Sequence, residues 1–135
     1  MPRDEVILAK VAIIERCVAR ARAEAGHAAP PEFEQAIEDS IVLNIQRGCE
    51  AAIDLAMHLV RSRALGIPQD RRDAFRLLVE AGMVDRSLGE RLRRMVGFRN
   101  IAVHEYQRIA RPIVDSIVAS GLDDLLAFSR ALLAL

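Results

Sequence analysis

Tryptophan is absent from this 135-residue chain, aromatic residues make up only 4%, and there is one tyrosine. A core built on stacked rings is therefore excluded, and Leu, Ile, Val and Ala must supply it. The formal net charge is zero, which excludes a generally basic protein that coats nucleic acid. Cysteine is limited to Cys17 and Cys49, both among apolar helical neighbours and without CxxC spacing. Buried thiols in a reduced compartment fit this better than a disulfide or a metal site. Three scattered histidines and no ligand-spaced carboxylate set argue against a metal enzyme. No apolar run approaches membrane-spanning length, and the opening Met-Pro-Arg-Asp-Glu is unlike a signal peptide, so a cytoplasmic protein is expected. Sustained alternation, paired hairpin turns and internal repeats are all lacking.

What is present is apolar residue at helical spacing. Apolar residues reach 52%, above the usual range for a soluble domain, and the surplus hints at an extra buried surface such as a dimer face. A single domain over 1–135 would bury about two-thirds of its unfolded surface. Val6, Ile7, Val11, Ile14, Val18 and Ala21 predict a first helix over 4–25, broken by Gly26 to Pro31. Phe33, Ile37, Ile41, Ile45 and Cys49, then Ile53, Met57 and Val60, predict a long helix over 32–64, with Gly48 as the expected bend. Such a rod would reach roughly 50 Å. Asp70 is placed to cap a short helix carrying Phe75, Leu77 and Leu78, which Gly82 ends. Ser87-Leu88-Gly89-Glu90 reads as a capping box opening the next helix. Ile113, Ile117 and Val118 continue a stripe in which Pro112 marks a bend or a first turn, and Leu122 to Leu133 make a final amphipathic helix. The expected fold is all-α, an antiparallel bundle of five to six helices with one long kinked member.

Charge is unevenly spread. Residues 1–60 carry −4, residues 61–111 carry +6 and the remainder −2. Eighteen of the nineteen basic residues are arginine, a bias that genomic base composition also produces, so arginine enrichment alone says little. The positive segment contains Arg99-Asn100-Ile101-Ala102-Val103-His104-Glu105-Tyr106. It joins a permanent cation with paired donors for phosphate oxygens, a group titrating near neutral pH, and a phenol. Those groups suit attack on a phosphodiester. RNA is cut without metal when its 2′-hydroxyl attacks the adjacent phosphorus. That reaction needs a base, an acid and a cation for the phosphorane. His104 suits proton transfer and Arg99 phosphate binding and transition-state stabilisation. Asn100 can bond the phosphate or hold the backbone, and Tyr106 can orient phosphate or stack on a base. On one ideal helix Arg99 and His104 lie about 140° apart, which suggests that the helix ends or distorts inside the motif.

The same residues resemble the HepT-like branch of the HEPN superfamily, whose signature is Arg, four to six residues, His, any residue, Tyr. Here it sits in Met95-Val-Gly-Phe-Arg-Asn-Ile-Ala-Val-His-Glu-Tyr. It follows Cys49-Glu-Ala-Ala-Ile-Asp-Leu-Ala-Met-His-Leu-Val, Gly66-Ile-Pro and Asp73-Ala-Phe-Arg-Leu-Leu in the family's order. The likeness covers roughly residues 4 to 130. It implies a HEPN-like bundle that is a metal-independent endoribonuclease toxin needing no cofactor, assembled as a homodimer with two motifs facing one cleft. It also implies an MntA-like minimal nucleotidyltransferase antitoxin that silences the toxin by transferring AMP to Tyr106. One motif histidine per chain cannot hold both protonation states at once, so a dimeric cleft would supply the second. A non-catalytic HEPN module that binds RNA, nucleotide or partner is the alternative.

Blander readings stand beside these. Arg99 could form a surface ion pair with Glu90 or Glu105, His104 could bond a carbonyl, and Tyr106 could be a packing group. Asn44, Arg47, Glu50, Asp54 and His58 form a polar series on the long apolar helix. Asn44, Arg47 and Asp54 either line the cleft or belong to a solvated face with pairs such as Arg47–Glu50 and a repulsive Glu50–Asp54. Arg91, Arg93 and Arg94 either guide RNA or face solvent.

Overall fold

The computed structural model describes residues 4–104 and 111–135, with side chains for 4–100 and 112–135. Helix α1 spans Glu5–Ala25, α2 Glu34–Ser62, α3 Asp73–Glu80 and α4 Arg86–His104. Helix α5, Arg111–Ser116, passes through a π-helical turn over Ile117–Gly121 into α6, Leu122–Leu133. Among the described residues there is no strand, and the elements form an all-α bundle of five rods, α5 to α6 counting as one.

Helix α1 starts at Asp4 because its Oδ1 accepts from the Val6 and Ile7 amides at 2.9 and 3.3 Å. This satisfies donors that a helix start leaves open. Of the predicted stripe, Ile7, Val11, Ile14, Val18 and Ala21 face inward with Cys17, whereas Val6 is exposed. They pack on Ile41, Ile45, Cys49 and Ile53 of α2, which repeat every four residues on one face. Phe75 and Phe128 meet edge to face at 5.6 Å and join α3 to α6.

Two local expectations give way. Helix α2 runs unbroken through Gly48, whose missing side chain instead admits neighbours: a Cβ there would lie 3.2 Å from Leu125 Cδ1 and 3.6 Å from Cys17 Cβ. Close helix packing, not bending, is what that glycine provides. Helix α4 begins at Arg86 with Asp85 as its cap, since Asp85 Oδ1 accepts from the Leu88 amide at 2.8 Å. Ser87 lies inside the first turn, and its hydroxyl meets Arg91. A carboxylate two positions earlier outcompetes the serine for the free amides. Pro112, read as a bend or a first turn, stands in the first turn of α5, where its missing N–H costs nothing, and the chain then passes through a π turn over Ile117–Gly121. The turn lies close on α4, because a Cβ at Gly121 would sit 2.6 Å from Met95 Sδ. Among the described residues no helix is long and apolar enough to cross a membrane.

Candidate active site

Helix α4 carries Arg99, Asn100 and His104 on one continuous α-helix. The expected distortion therefore does not fall between Arg99 and His104. Tyr106, and with it the rest of that expectation, lies outside the described residues, as does the side chain of His104.

Arg99 is held from two directions. Its Nε lies 2.8 Å from Glu50 Oε2 on α2, and its Nη1 donates to Asn100 Oδ1 at 3.0 Å. The Glu50 contact is an ion pair off the hydrogen-bond axis, and both atoms are shut away from solvent. The guanidinium has five N–H donors, and among the described residues these two contacts leave most of its fork uncommitted. The side chain is 26% exposed, close to the surface yet screened by protein on the Glu50 side. A cation in such a place interacts with a phosphate more strongly than one in bulk water.

Among the described residues the ion-pair partner is thus Glu50 and not Glu90, while Glu105 lies outside them. Glu50 Oε1 also meets Arg71 Nη2 at 3.0 Å, Arg71 Nη2 pairs with Asp54, and Asp54 Oδ2 accepts from Lys10 Nζ at 3.2 Å. The repulsion expected between Glu50 and Asp54 on one helix face is relieved because Arg71 bridges them. Five charged groups form one chain from α1 through α2 to α4, with one more cation than anions. The four other groups balance, so the chain's one uncompensated positive charge is that of Arg99 despite its carboxylate partner.

Asn44, Arg47 and Asp54 do share one surface. With Glu50 they line a groove of about 520 Å³ between α1 and α2, together with Lys10, Arg16 and Arg20. Asn44 is buried and donates from Nδ2 to the Ser40 carbonyl at 2.9 Å. Arg47 is exposed and makes no ion pair with Glu50 among the described residues. His58 is occupied elsewhere, its Nε2 lying 2.8 Å from Asp4 Oδ2. That histidine bond is the main cause holding the Asp4 carboxyl below its ordinary pKa. Arg91 pairs with Asp124 at 2.8 Å. Arg94 lines a more apolar hollow of about 690 Å³ between α4 and the π turn, to which Arg99 does not contribute.

Both cysteines are free and buried. Burial pushes the Cys49 thiol up to about 12, against the opposing pull of Arg99, so it stays protonated near neutral pH and offers no nucleophile. Among the described residues no three His, Cys, Asp or Glu side chains are grouped so as to hold a metal ion.

Glu50, Arg71 and Lys10 are the members of the site that sequence reasoning did not join to Arg99. The available signal was the pair of acids four apart on an otherwise apolar helix, which demands cations from elsewhere in the fold.

A model of the family described as ribonuclease HepT-like matches residues 8–132. The chain is 41% identical over 125 residues to the mRNA nuclease HepT of Shewanella oneidensis, covering 93% of this chain and 94% of that protein. It is 32% identical over 100 residues to a putative RNase of Archaeoglobus fulgidus, covering 73% and 75%. Among solved structures it resembles the tri-AMPylated Shewanella oneidensis HEPN toxin in complex with its MNT antitoxin, with TM-score 0.90, 39% identity and coverage of 98% and 100%. The same values hold for a toxin–antitoxin complex with AMP-PNP. With its family model matched almost end to end and the motif phrase intact around a tethered Arg99, this chain belongs to the ribonuclease HepT-like family.

Proposed function

We propose that the protein is a metal-independent endoribonuclease toxin whose working site contains Arg99 and His104. The observation that carries this reading is the intact Arg99-x4-His104-x-Tyr106 motif within a chain so closely similar to a nuclease that acts on mRNA. In the proposed reaction a 2′-hydroxyl loses its proton to a His104 imidazole and its oxygen bonds to phosphorus. The P–O5′ bond breaks, and the departing oxygen takes a proton from a second imidazole. Arg99 binds the phosphate oxygens and stabilises their added charge in the phosphorane. Asn100 holds the guanidinium and helps to bind the scissile phosphate.

Two imidazoles in opposite protonation states require two chains, so the proposed enzyme is a homodimer with paired motifs at one cleft. Helix geometry supports the same arrangement. Five residues of α-helix turn through about 500°, which sets the Arg99 and His104 positions about 140° apart on one chain. A partner copy would complete the site. Asn44, Arg47 and Asp54 are proposed to line the cleft at its α1–α2 side.

Tyr106 is the proposed off switch. An MntA-like nucleotidyltransferase antitoxin would transfer AMP from ATP to its phenolic oxygen, forming a phosphoester and releasing pyrophosphate. The added bulk and negative charge would repel RNA phosphate from Arg99. The AMPylated state of the similar Shewanella toxin in its antitoxin complex supports this assignment.

The test is RNA cleavage by purified protein, with messenger RNA as first substrate and a chelator present throughout. Cleavage should persist in chelator and fall about 10²-fold or more in Arg99→Ala and His104→Ala at unchanged Tm. Undiminished cleavage by His104→Ala would overturn the mechanism. Mass spectrometry after co-expression with the antitoxin should find AMP on Tyr106; an unmodified tyrosine would remove the switch from the proposal.

A further inference from the structure

The groove between α1 and α2 is more than a boundary of the site. Arg16 and Arg20 on α1 and Arg47 on α2 stand exposed along it. Ion pairs among the described residues employ Lys10, Arg22, Arg71, Arg76, Arg91 and Arg99, and none employs these three. Their fields converge, since all three pull the Cys17 thiol at the groove floor downward in pKa, against the larger upward push of its burial. The two acids of the lining are already engaged: Asp54 by Lys10 and Arg71, Glu50 by Arg71 and Arg99. Three cations without ion-pair partners among the described residues thus line both walls of the groove, and Glu50, one turn beyond Arg47 on α2, links it to Arg99.

The groove has the length of a strand rather than of a single anion. Lys10 to Arg20 on α1, and Ser40 to Asp54 on α2, run roughly 15–20 Å along the helices at ~1.5 Å per residue. Arg16 and Arg20 are four apart and share a face of α1. Arginine forks spaced along a groove favour a chain of phosphates over a compact ligand. Exposed Leu43 and half-buried Ile13 provide apolar surface beside them, which suits sugars and base faces.

We infer that this α1–α2 groove, through Arg16, Arg20 and Arg47, binds the single-stranded RNA flanking the scissile phosphate. The inference rests on the ribonuclease reading and extends it, because Arg99 acts on one phosphate while the groove holds its neighbours. It follows that long substrates should be favoured over short ones, and that the groove's share of affinity should depend on salt.

The experiment compares the full chain with the triple variant Arg16→Ala, Arg20→Ala, Arg47→Ala, and with a triple Arg→Lys variant that retains charge. Binding is measured by fluorescence anisotropy on single-stranded RNA whose 2′-hydroxyls are methylated, so that no cleavage can occur. The alanine variant should lose about tenfold or more in affinity, and its log–log salt slope should flatten by about 2, near 0.7 per lost phosphate contact. The lysine variant should recover most of the slope. In cleavage assays KM should rise more for a long oligonucleotide than for a dinucleotide. Unchanged affinity and slope in the alanine variant would overturn the inference while leaving the catalytic reading intact. A changed oligomeric state with unchanged RNA binding would overturn it too, making the groove an interface between copies. Full cleavage by Arg99→Ala and His104→Ala would instead remove the reading beneath it, whatever the anisotropy shows.

Discussion

Two arginine–carboxylate clusters in this protein use the same chemistry for different ends. Arg76 is held within α3, with Nε and Nη2 donating to Asp73 at 2.6 and 2.8 Å and Nη1 to Glu80 at 2.8 Å. All its partners lie within one turn on either side, and Asp73 also accepts from the Gln69 amide at 3.0 Å. Arg99 is held by a carboxylate on another helix, through a contact off the hydrogen-bond axis, and among the described residues it keeps donors to spare. The first cluster is closed and closes a helix start. The second is open and presents a cation. Satisfaction marks the structural cluster, and incompleteness marks the functional one.

Exchanging the two arginines for alanine should produce the largest effects and separate the roles. Arg99→Ala should lower kcat about 10²- to 10³-fold while barely moving Tm. Arg76→Ala should lower Tm and leave cleavage rates alone. If both variants lose stability and activity together, the distinction between closed and open clusters fails. The pH dependence sharpens it. Arg76 holds the Asp73 carboxyl far below the usual carboxylate range, with help from the Gln69 amide. A depressed folded pKa gives stability that is fully present above the unfolded value near 3.9 and is lost as pH falls through the folded one. Acid unfolding curves of the parent and Asp73→Asn should therefore differ at neutral pH and draw together below about pH 4.

A smaller effect is expected at Glu50. If this carboxylate places the guanidinium, Glu50→Gln should reduce kcat about tenfold, equivalent to roughly 1.4 kcal/mol, with no loss of Tm. Removing a negative charge beside Arg99 should leave KM for RNA unchanged or lower it, a split that general loosening of the fold would not give. Combining Glu50→Gln with Arg99→Ala should cost no more than Arg99→Ala alone. Additive losses would show that Glu50 acts independently of the arginine and would break the comparison on its functional side.

The difference between the clusters also explains what could be read from sequence. The α1 stripe from Ile7 to Ala21 and the fours of α2 repeat a helical period, and burial follows period directly. The Asp73–Arg76–Glu80 spacing is likewise visible as local pairing on one helix. The Glu50–Arg99 pair has no such trace, because only tertiary packing brings α2 and α4 into register. Motif residues could be named from their chemistry, yet not the carboxylate that holds one of them. The cap of α4 was misread for a related reason. Asp85 and Ser87 are both good caps, and the choice depends on where the loop delivers the chain. The π turn at Ile117–Gly121, through which α5 passes into α6, has no counterpart in local propensity.

The smallest effect concerns Gly97, two residues before Arg99 on the same helix. A Cβ there would meet nothing within 4 Å, unlike one at Gly121. An interior helical glycine costs about 0.5–1 kcal/mol relative to alanine through backbone entropy, so Gly97→Ala should stabilise the protein by about that much. The variant also tests what positions the cation. If Glu50 sets the guanidinium, stiffening the backbone beneath it should raise Tm and leave kcat unchanged. Were kcat to fall as Tm rises, freedom of α4 at Gly97 would be part of the site. Arg99 would then be placed by its helix, as Arg76 is, rather than by a carboxylate reaching across the bundle.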